Sequence, residues 1–197
     1  MRIVGGTFHG RQLATSRGRT VRPTSDRVRE AMFNILQHGL QLNADGGLPK
    51  GANVLDVFAG TGALGLEALS RGATHATFIE KDSAACRVIE RNTQMLGAAE
   101  SVTLLCRNAL RPATPPPAFL AANLLVMDPP YRSNLVAPAL QALRDRGWIA
   151  RDAISVIEIA TDESLDLPRG FVIADERRYG DTTLVFLKSE GQDDAVA

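Results

Sequence analysis

Asp56-Val57-Phe58-Ala59-Gly60-Thr61-Gly62-Ala63-Leu64-Gly65 is the stretch on which the reading of the whole chain turns. Asn53-Val54-Leu55-Asp56-Val57-Phe58 reads as a strand and Ala63 to Arg71 as a helix, so the glycines form GxGxxG at a strand-to-helix turn. A cofactor loop needs that setting, because glycines make the turn and let a ligand approach backbone amides at the start of the helix. Glu80 lies 20 residues beyond Gly60, at the end of the next strand, where an acid accepts from ribose hydroxyls.

Outward from this loop the chain alternates strands and helices. His75-Ala76-Thr77-Phe78-Ile79 is the second strand, and Ser83 to Leu96 a helix ended by Gly97. Val102 to Cys106 and Leu124 to Met127 are strands three and four, separated by a proline-rich loop at Pro112 and Pro115-Pro116-Pro117. Leu135 to Arg146 is helical, with Pro138 a point where it can kink, and Ile154 to Ile159 is strand five. Phe171 to Ala174 and Thr183 to Leu187 flank a turn at Gly180-Asp181, too close for a crossover helix, and must pair antiparallel. The pattern predicts an α/β fold whose mostly parallel sheet is covered on both faces.

Asp56 selects between cofactors. A carboxylate four residues before Gly60 repels a pyrophosphate, but suits S-adenosylmethionine, whose ammonium and sulfonium are cationic. The competing role is to cap the loop's own amides. Ala59, Gly60, Thr61 and Gly62 complete the candidate donor loop, and Asn108 with Ala109, just past strand three, can meet an adenine edge or simply make a turn.

Strand four runs into Asp128-Pro129-Pro130-Tyr131, at the carboxyl edge where open α/β sheets bind ligands. The exocyclic amine of a base is a poor nucleophile because its lone pair is delocalised into the ring. It becomes one if its two N–H groups are held off the ring plane, here by the Asp128 carboxylate and a main-chain carbonyl at Pro129. Pro129 and Pro130 fix φ and bring no donors, and Tyr131 offers a stacking face to an extruded base, a contact worth about 1–3 kcal/mol.

The first 36 residues carry seven arginines against Asp26 and Glu30, a net of +5, and the last 47 a net of −6, within an overall charge of zero. Arginine suits bidentate phosphate contact, so the N-terminal end predicts a face for a polyanion. Arg2 to Gly6 turns back onto Gln12-Leu13-Ala14 as a hairpin. Thr24-Ser25-Asp26 caps a helix whose stripe Val28, Ala31, Met32, Ile35 and Leu36 is core, with Arg27, Glu30 and Asn34 opposite. No apolar run approaches the roughly 20 residues that span a bilayer, no signal peptide opens the chain, and no metal set is apparent. Cys86 and Cys106 lack redox or ligand spacing and are expected to be buried thiols. A soluble, cytoplasmic, monomeric protein is expected.

Asp56 to Gly62, Glu80 and Asp128 to Tyr131, in that order, resemble the class I methyltransferases that modify base amines. Met1 to Gly6, Gly10-Arg11, Arg22 to Glu30 and Phe33 to Leu36 resemble more specifically the RsmD family, over roughly residues 1–188. That resemblance implies a Rossmann-like, seven-stranded sheet with an antiparallel last strand, S-adenosylmethionine without a metal, and, as substrate, N2 of one guanine in 16S ribosomal RNA within an assembling small subunit. It places Asp56, Gly60 and Gly62 at the donor's methionine end, Glu80 at its ribose and Asn108 by its adenine. Asp128, Pro129 and Tyr131 would hold the guanine; the family often has phenylalanine where Tyr131 stands. Arg2, Arg11, Arg22, Arg27 and Arg29 are the implied RNA contacts, and Arg132 is placed to reach a phosphate flanking the base. The expected organisation is an RNA-contacting extension over 1–38, the catalytic domain over 39–189 and a disordered tail over 190–197. The alternatives are an adenine-N6 or cytosine-N4 methyltransferase on DNA or another RNA, an NAD-dependent oxidoreductase, disfavoured by Asp56, and an RNA-binding module without catalysis.

Overall fold

A computed structural model describes residues 1–15, 25–39 and 47–190. The sequence alternates as expected. Strand β1 (Asn53–Val57) leads to helix α2 (Ala63–Ser70), and β2 (His75–Glu80) to α3 (Ser83–Leu96). Then come β3 (Val102–Cys106), β4 (Ala122–Met127), helix α4 (Val136–Asp145) and β5 (Ile149–Ala160). The chain closes with β6 (Phe171–Tyr179) and β7 (Thr182–Ser189); helix α1 (Asp26–Asn34) precedes all of these. The seven strands form one sheet in the order β3-β2-β1-β4-β5-β7-β6. β1 pairs parallel with both β2 and β4, β2 with β3 and β4 with β5, while β7 is antiparallel to β5 and β6. The fold is α/β and Rossmann-like.

Alternation along the strands splits the core between the two sheet faces. Val54, Phe78, Val126 and Val156 pack under α1, α2 and α3, together with Ile3 and Leu13 of the N-terminal segment. Leu55, Val57, Met127 and Ile157 pack on the other face against Val136, Leu140 and Leu143 of α4 and against Trp148. Central strands buried on both faces explain why β1 and β4 read as near-continuous apolar runs.

Local signals account for most element ends. Ser25 accepts the Val28 N–H at the start of α1, Asp82 accepts from Ala84 and Ala85 ahead of α3, and Gly97 closes α3 in a left-handed conformation. After Asn34 the backbone widens into a π-helical turn over Ile35–Gly39. The N-terminal turn-back is present as a single antiparallel bridge between Arg2 and Gln12.

Four expectations are corrected. β5 begins at Ile149, ahead of Ile154, because a register shift opposite Ala122 and Leu124 lets Asp152 adopt a left-handed φ of 61° and the pairing resume. β6 extends through Asp175-Glu176-Arg177-Arg178, since an edge strand needs only its backbone paired on one side and tolerates charges. Pro138 imposes no kink, for it sits in the first turn of α4, where an N–H would have no helical partner. Cys86 and Cys106 are not two buried thiols: they form a disulfide joining α3 to the end of β3, with Cα atoms 6.1 Å apart. Pairing of Glu80 with Cys106 across β2 and β3 brings Cys106 to the place where Cys86 Sγ meets the Glu80 carbonyl, a proximity that sequence spacing does not encode. Among the described residues no helix is long and apolar enough to cross a membrane. The region 40–46 and the tail from 191 lie outside the described residues.

Candidate active site

The strand order reverses between β1, whose chain continues toward β2, and β4 on its other side. A crevice opens outside the carboxyl ends of two strands at such a switch point. Val57 pairs with Met127, so the loop that leaves β1 and the Asp128-Pro129-Pro130-Tyr131 segment that leaves β4 start side by side. Between them lies a cavity of about 1070 Å³, lined by Gly60 and Glu80 from one side and Asp128, Pro129, Pro130, Tyr131 and Arg132 from the other.

The β1 loop is wired into the backbone around it. Gly60 and Gly62 hold φ of 57° and 77°, and Gly62 caps α2. Gly65 is required for another reason: a Cβ there would lie 2.5 Å from the Phe78 ring, so α2 can lie this close to β2 only with glycine. Asp56 is buried and accepts the Gly65 N–H at 2.9 Å. It does not line the cavity; it stands behind the loop. Its carboxyl is pushed well above the ordinary range by burial, opposed by the Gly65 bond and reinforced by the negative charges of Asp128 and Glu80. Glu80 accepts the Gly60 N–H at 2.9 Å through one oxygen and the Asp82 N–H at 2.8 Å through the other. Each carboxylate oxygen keeps a second lone pair for a ligand hydroxyl. Ala59, Thr61 and Gly62 shape the loop without lining the cavity.

Beside Glu80 a small slot of about 40 Å³ is lined by Asn108, Ala109, Ile79 and Leu110, and shares Phe58, Lys81 and Leu135 with the main cavity. The Asn108 side chain accepts the Leu110 N–H at 3.0 Å, so its oxygen serves the turn. The residues fit S-adenosylmethionine on a structural criterion. The carboxylates of Asp56, Glu80 and Asp128 lie close enough to repel one another, and a cationic ligand between the two loops would relieve that repulsion.

On the β4 side, the Tyr131 hydroxyl donates to Glu158 Oε1 on β5 at 2.9 Å and lies 2.9 Å from Thr182 Oγ1 on β7. Burial first, with Glu158 and Asp128 nearby, pushes the phenol up to about 12, so it stays a neutral donor. The two anchors fix the ring at the cavity wall. Sequence reasoning missed both Glu158 and Thr182. The signal for Glu158 was a carboxylate inside the apolar run Ile154–Ile159, where a charge is costly unless it has a partner. Arg132, with φ of 56°, places both Asp162 oxygens within 2.7 Å of one guanidinium nitrogen, and its N–H donates to Glu163. It lines the cavity already paired, and both partners are exposed.

The predicted RNA contacts divide. Arg29 is corrected: it is wholly buried, donates to the Arg2 carbonyl, and pairs with Asp26 at 2.8 Å and Glu67 at 3.4 Å. The chain follows α1 inward there, so Arg29 faces α2 and not solvent. Arg27 is exposed on the opposite side of α1. Arg2 is exposed and paired with Asp26 at 3.2 Å, and Arg11 donates to the Met95 carbonyl at 2.7 Å. Arg22 lies outside the described residues. No cluster of side chains able to hold a metal occurs among the described residues.

Comparison with known proteins places this geometry. The family described as conserved hypothetical protein 95 matches residues 1–188. The ribosomal RNA small subunit methyltransferase D of Escherichia coli is 34% identical over 203 residues, covering 100% of this chain and 94% of the relative. Its Haemophilus influenzae counterpart is 30% identical, covering 91% and 89%. The solved structure of yhhF from Escherichia coli superimposes with a TM-score of 0.80 at 34% identity, over 98% of this chain and 99% of that one.

Proposed function

This chain belongs to the RsmD family, and from that premise we propose that it methylates the exocyclic N2 amine of one guanine in 16S ribosomal RNA. The methyl donor is S-adenosylmethionine, no metal takes part, and the enzyme acts as a cytoplasmic monomer on an assembling small subunit. The observation that carries this reading is the single cavity that joins Gly60 and Glu80, at the end of β1, to Asp128 and Tyr131, at the end of the adjacent β4.

Bound in the crevice, the donor supplies an electrophilic methyl carbon whose sulfur departs as a neutral thioether. The protein's task is to place and activate the amine. Tyr131, held by Glu158 and Thr182, takes one face of the extruded base. Asp128 and the Pro129 carbonyl accept the two N–H groups, so the nitrogen lone pair turns out of the ring plane and toward the methyl carbon. As the N–C bond forms, the nitrogen becomes cationic and the Asp128 carboxylate stabilises that charge and receives its surplus proton. Glu80 holds the ribose hydroxyls, Asn108 and Ala109 border the adenine, and Asp56 fixes the first turn of α2 through the Gly65 N–H while offsetting the donor's positive charge.

Exposed Arg2, Arg11 and Arg27, with Arg22 between the last two in the chain, supply phosphate contacts from a 1–38 extension on the 39–189 catalytic domain. Arg132 joins them by exchanging Asp162 for a phosphate, an exposed pair that solvent already weakens. The reading is tested by deleting the gene, digesting small-subunit RNA and measuring its nucleosides by mass spectrometry. One N2-methylguanosine per 16S molecule should disappear and return on complementation. Loss of N6-methyladenosine or N4-methylcytidine instead overturns the choice of guanine.

A further inference from the structure

The N-terminal segment touches the donor loop in two ways that the catalytic reading does not use. Thr61, at the centre of the glycine loop, donates its hydroxyl to Met1 Sδ at 3.4 Å. Its carbonyl accepts from Asn92 Nδ2 at 2.9 Å. Asn92, on α3, is fully buried. Its other contacts go to one residue of the N-terminal segment: Oδ1 accepts the Ala14 N–H at 2.7 Å, and Nδ2 donates to the Ala14 carbonyl at 3.1 Å. One side-chain amide therefore satisfies both backbone groups of Ala14 and holds the carbonyl of Thr61.

The far end of α2 is gripped by the same segment. Val4 N–H donates to Glu67 at 2.8 Å, Phe8 N–H to Ser70 Oγ at 2.9 Å and Thr7 N–H to the Ser70 carbonyl at 2.7 Å. The approach is so close that a Cβ on Gly6 would lie 1.8 Å from the Ser70 oxygen. Gly62 caps the start of α2, so residues 1–14 hold this helix at both ends: at its tail directly, and at its leading loop through Met1 and Asn92.

We infer that Asn92 is a positioning residue for the methyl-donor loop, transmitting to Thr61 the anchorage of the N-terminal segment at Ala14. It touches neither donor nor base; it sets the loop's resting geometry. This rests on the reading of the glycine loop as the donor site, and the arginines that follow Ala14 make the same segment the RNA-facing one. Asn92→Ala removes all three bonds. Asn92→Asp keeps the acceptor for Ala14 N–H but presents an oxygen to the Ala14 and Thr61 carbonyls. Leu96→Ala, in the core on the same helix and without a bond to either segment, controls for lost stability alone.

The test uses the full chain in two measurements. In hydrogen exchange without any ligand, the Gly60, Thr61 and Gly62 amides should exchange faster in Asn92→Ala and Asn92→Asp by about tenfold beyond any change in β2 and β4, as for loss of one or two buried hydrogen bonds. In methyl transfer, KM for S-adenosylmethionine should rise about tenfold with kcat within about twofold, while Leu96→Ala leaves KM unchanged. Loop exchange in the Asn92 variants that merely follows that of Leu96→Ala overturns the inference. A wild-type protein that neither binds nor consumes S-adenosylmethionine overturns the methyltransferase reading, and the exchange measurement still decides the role of Asn92.

Discussion

Asp56 and Asp128 belong to the ends of two adjacent strands, yet the fold treats them oppositely. Asp56 is sealed behind the glycine loop, bonded to the Gly65 N–H, with its charge disfavoured. Asp128 reaches the cavity wall among prolines and a tyrosine. The β1 side is braced before any ligand arrives: Glu80 accepts the Gly60 N–H, Asp56 the Gly65 N–H, and Asn92 donates to the Thr61 carbonyl. The β4 side lines the cavity with one ring anchored by Glu158 and Thr182, next to Asp128 and the two prolines. On the proposed reading, electrostatic preorganisation for a cationic donor belongs on the first side, and room for a base that must enter and leave on the second.

Substitutions should separate the two sides. The largest effect is expected from Asp128→Ala, which should reduce methyl transfer by about 10²–10³-fold, while calorimetry finds donor affinity within about threefold of wild type. Retained turnover would dissolve the division of labour. Arg29→Ala should lower unfolding free energy by about 3 kcal/mol in denaturant titration, because it strips a buried carboxylate of a partner. Arg27→Ala should leave stability alone and reduce the salt slope of RNA binding by about one. Equal effects of the two arginines on RNA binding would contradict the inward placement of Arg29.

Asp56→Asn keeps an oxygen for the Gly65 N–H but not the charge. The folded-state carboxyl of Asp56 lies above its unfolded value, so its contribution to stability is present at low pH and is lost as pH rises through the raised value. The ligand-free variant should therefore melt higher than wild type near neutral pH, with the gap closing as pH falls toward the ordinary carboxylate range, while donor affinity drops about tenfold. At a pH below the raised value, wild type should also release protons on donor binding, visible as a buffer dependence of the binding enthalpy that the variant lacks. The smallest effect is expected from Tyr131→Phe, which preserves the stacking face and loses the hydroxyl contacts to Glu158 and Thr182; a fall of about three- to tenfold in kcat/KM would suit one lost hydrogen bond.

The two sides also differed in how well the sequence disclosed them. The β1 loop was legible residue by residue, because backbone geometry demands glycine at fixed offsets and a parallel strand buried on both faces leaves a continuous apolar run. Asp128 to Tyr131 was legible for the same local reason. Glu158 and Thr182 were not, since their meeting with Tyr131 depends on β7 inserting between β5 and β6, a pairing that no local pattern specifies. Arg29 was misplaced because an arginine in an arginine-rich segment looks solvated until Glu67, 38 positions away, is seen beneath it. The Cys86–Cys106 bond failed to register for a like reason: it follows from strand register, not from spacing. The span of β6 was hidden by its charges, which an edge strand accepts.

The central claim is that the crevice between β1 and β4 carries a methyl group from S-adenosylmethionine to a base amine held by Asp128. Its most direct test is to incubate the purified protein with isotopically methyl-labelled donor and small-subunit particles from a strain lacking the gene, then digest the RNA for mass spectrometry. The label should appear in N2-methylguanosine at a single site with wild type and be absent with Asp128→Ala. Label in another nucleoside, or equal label with both proteins, would contradict the account.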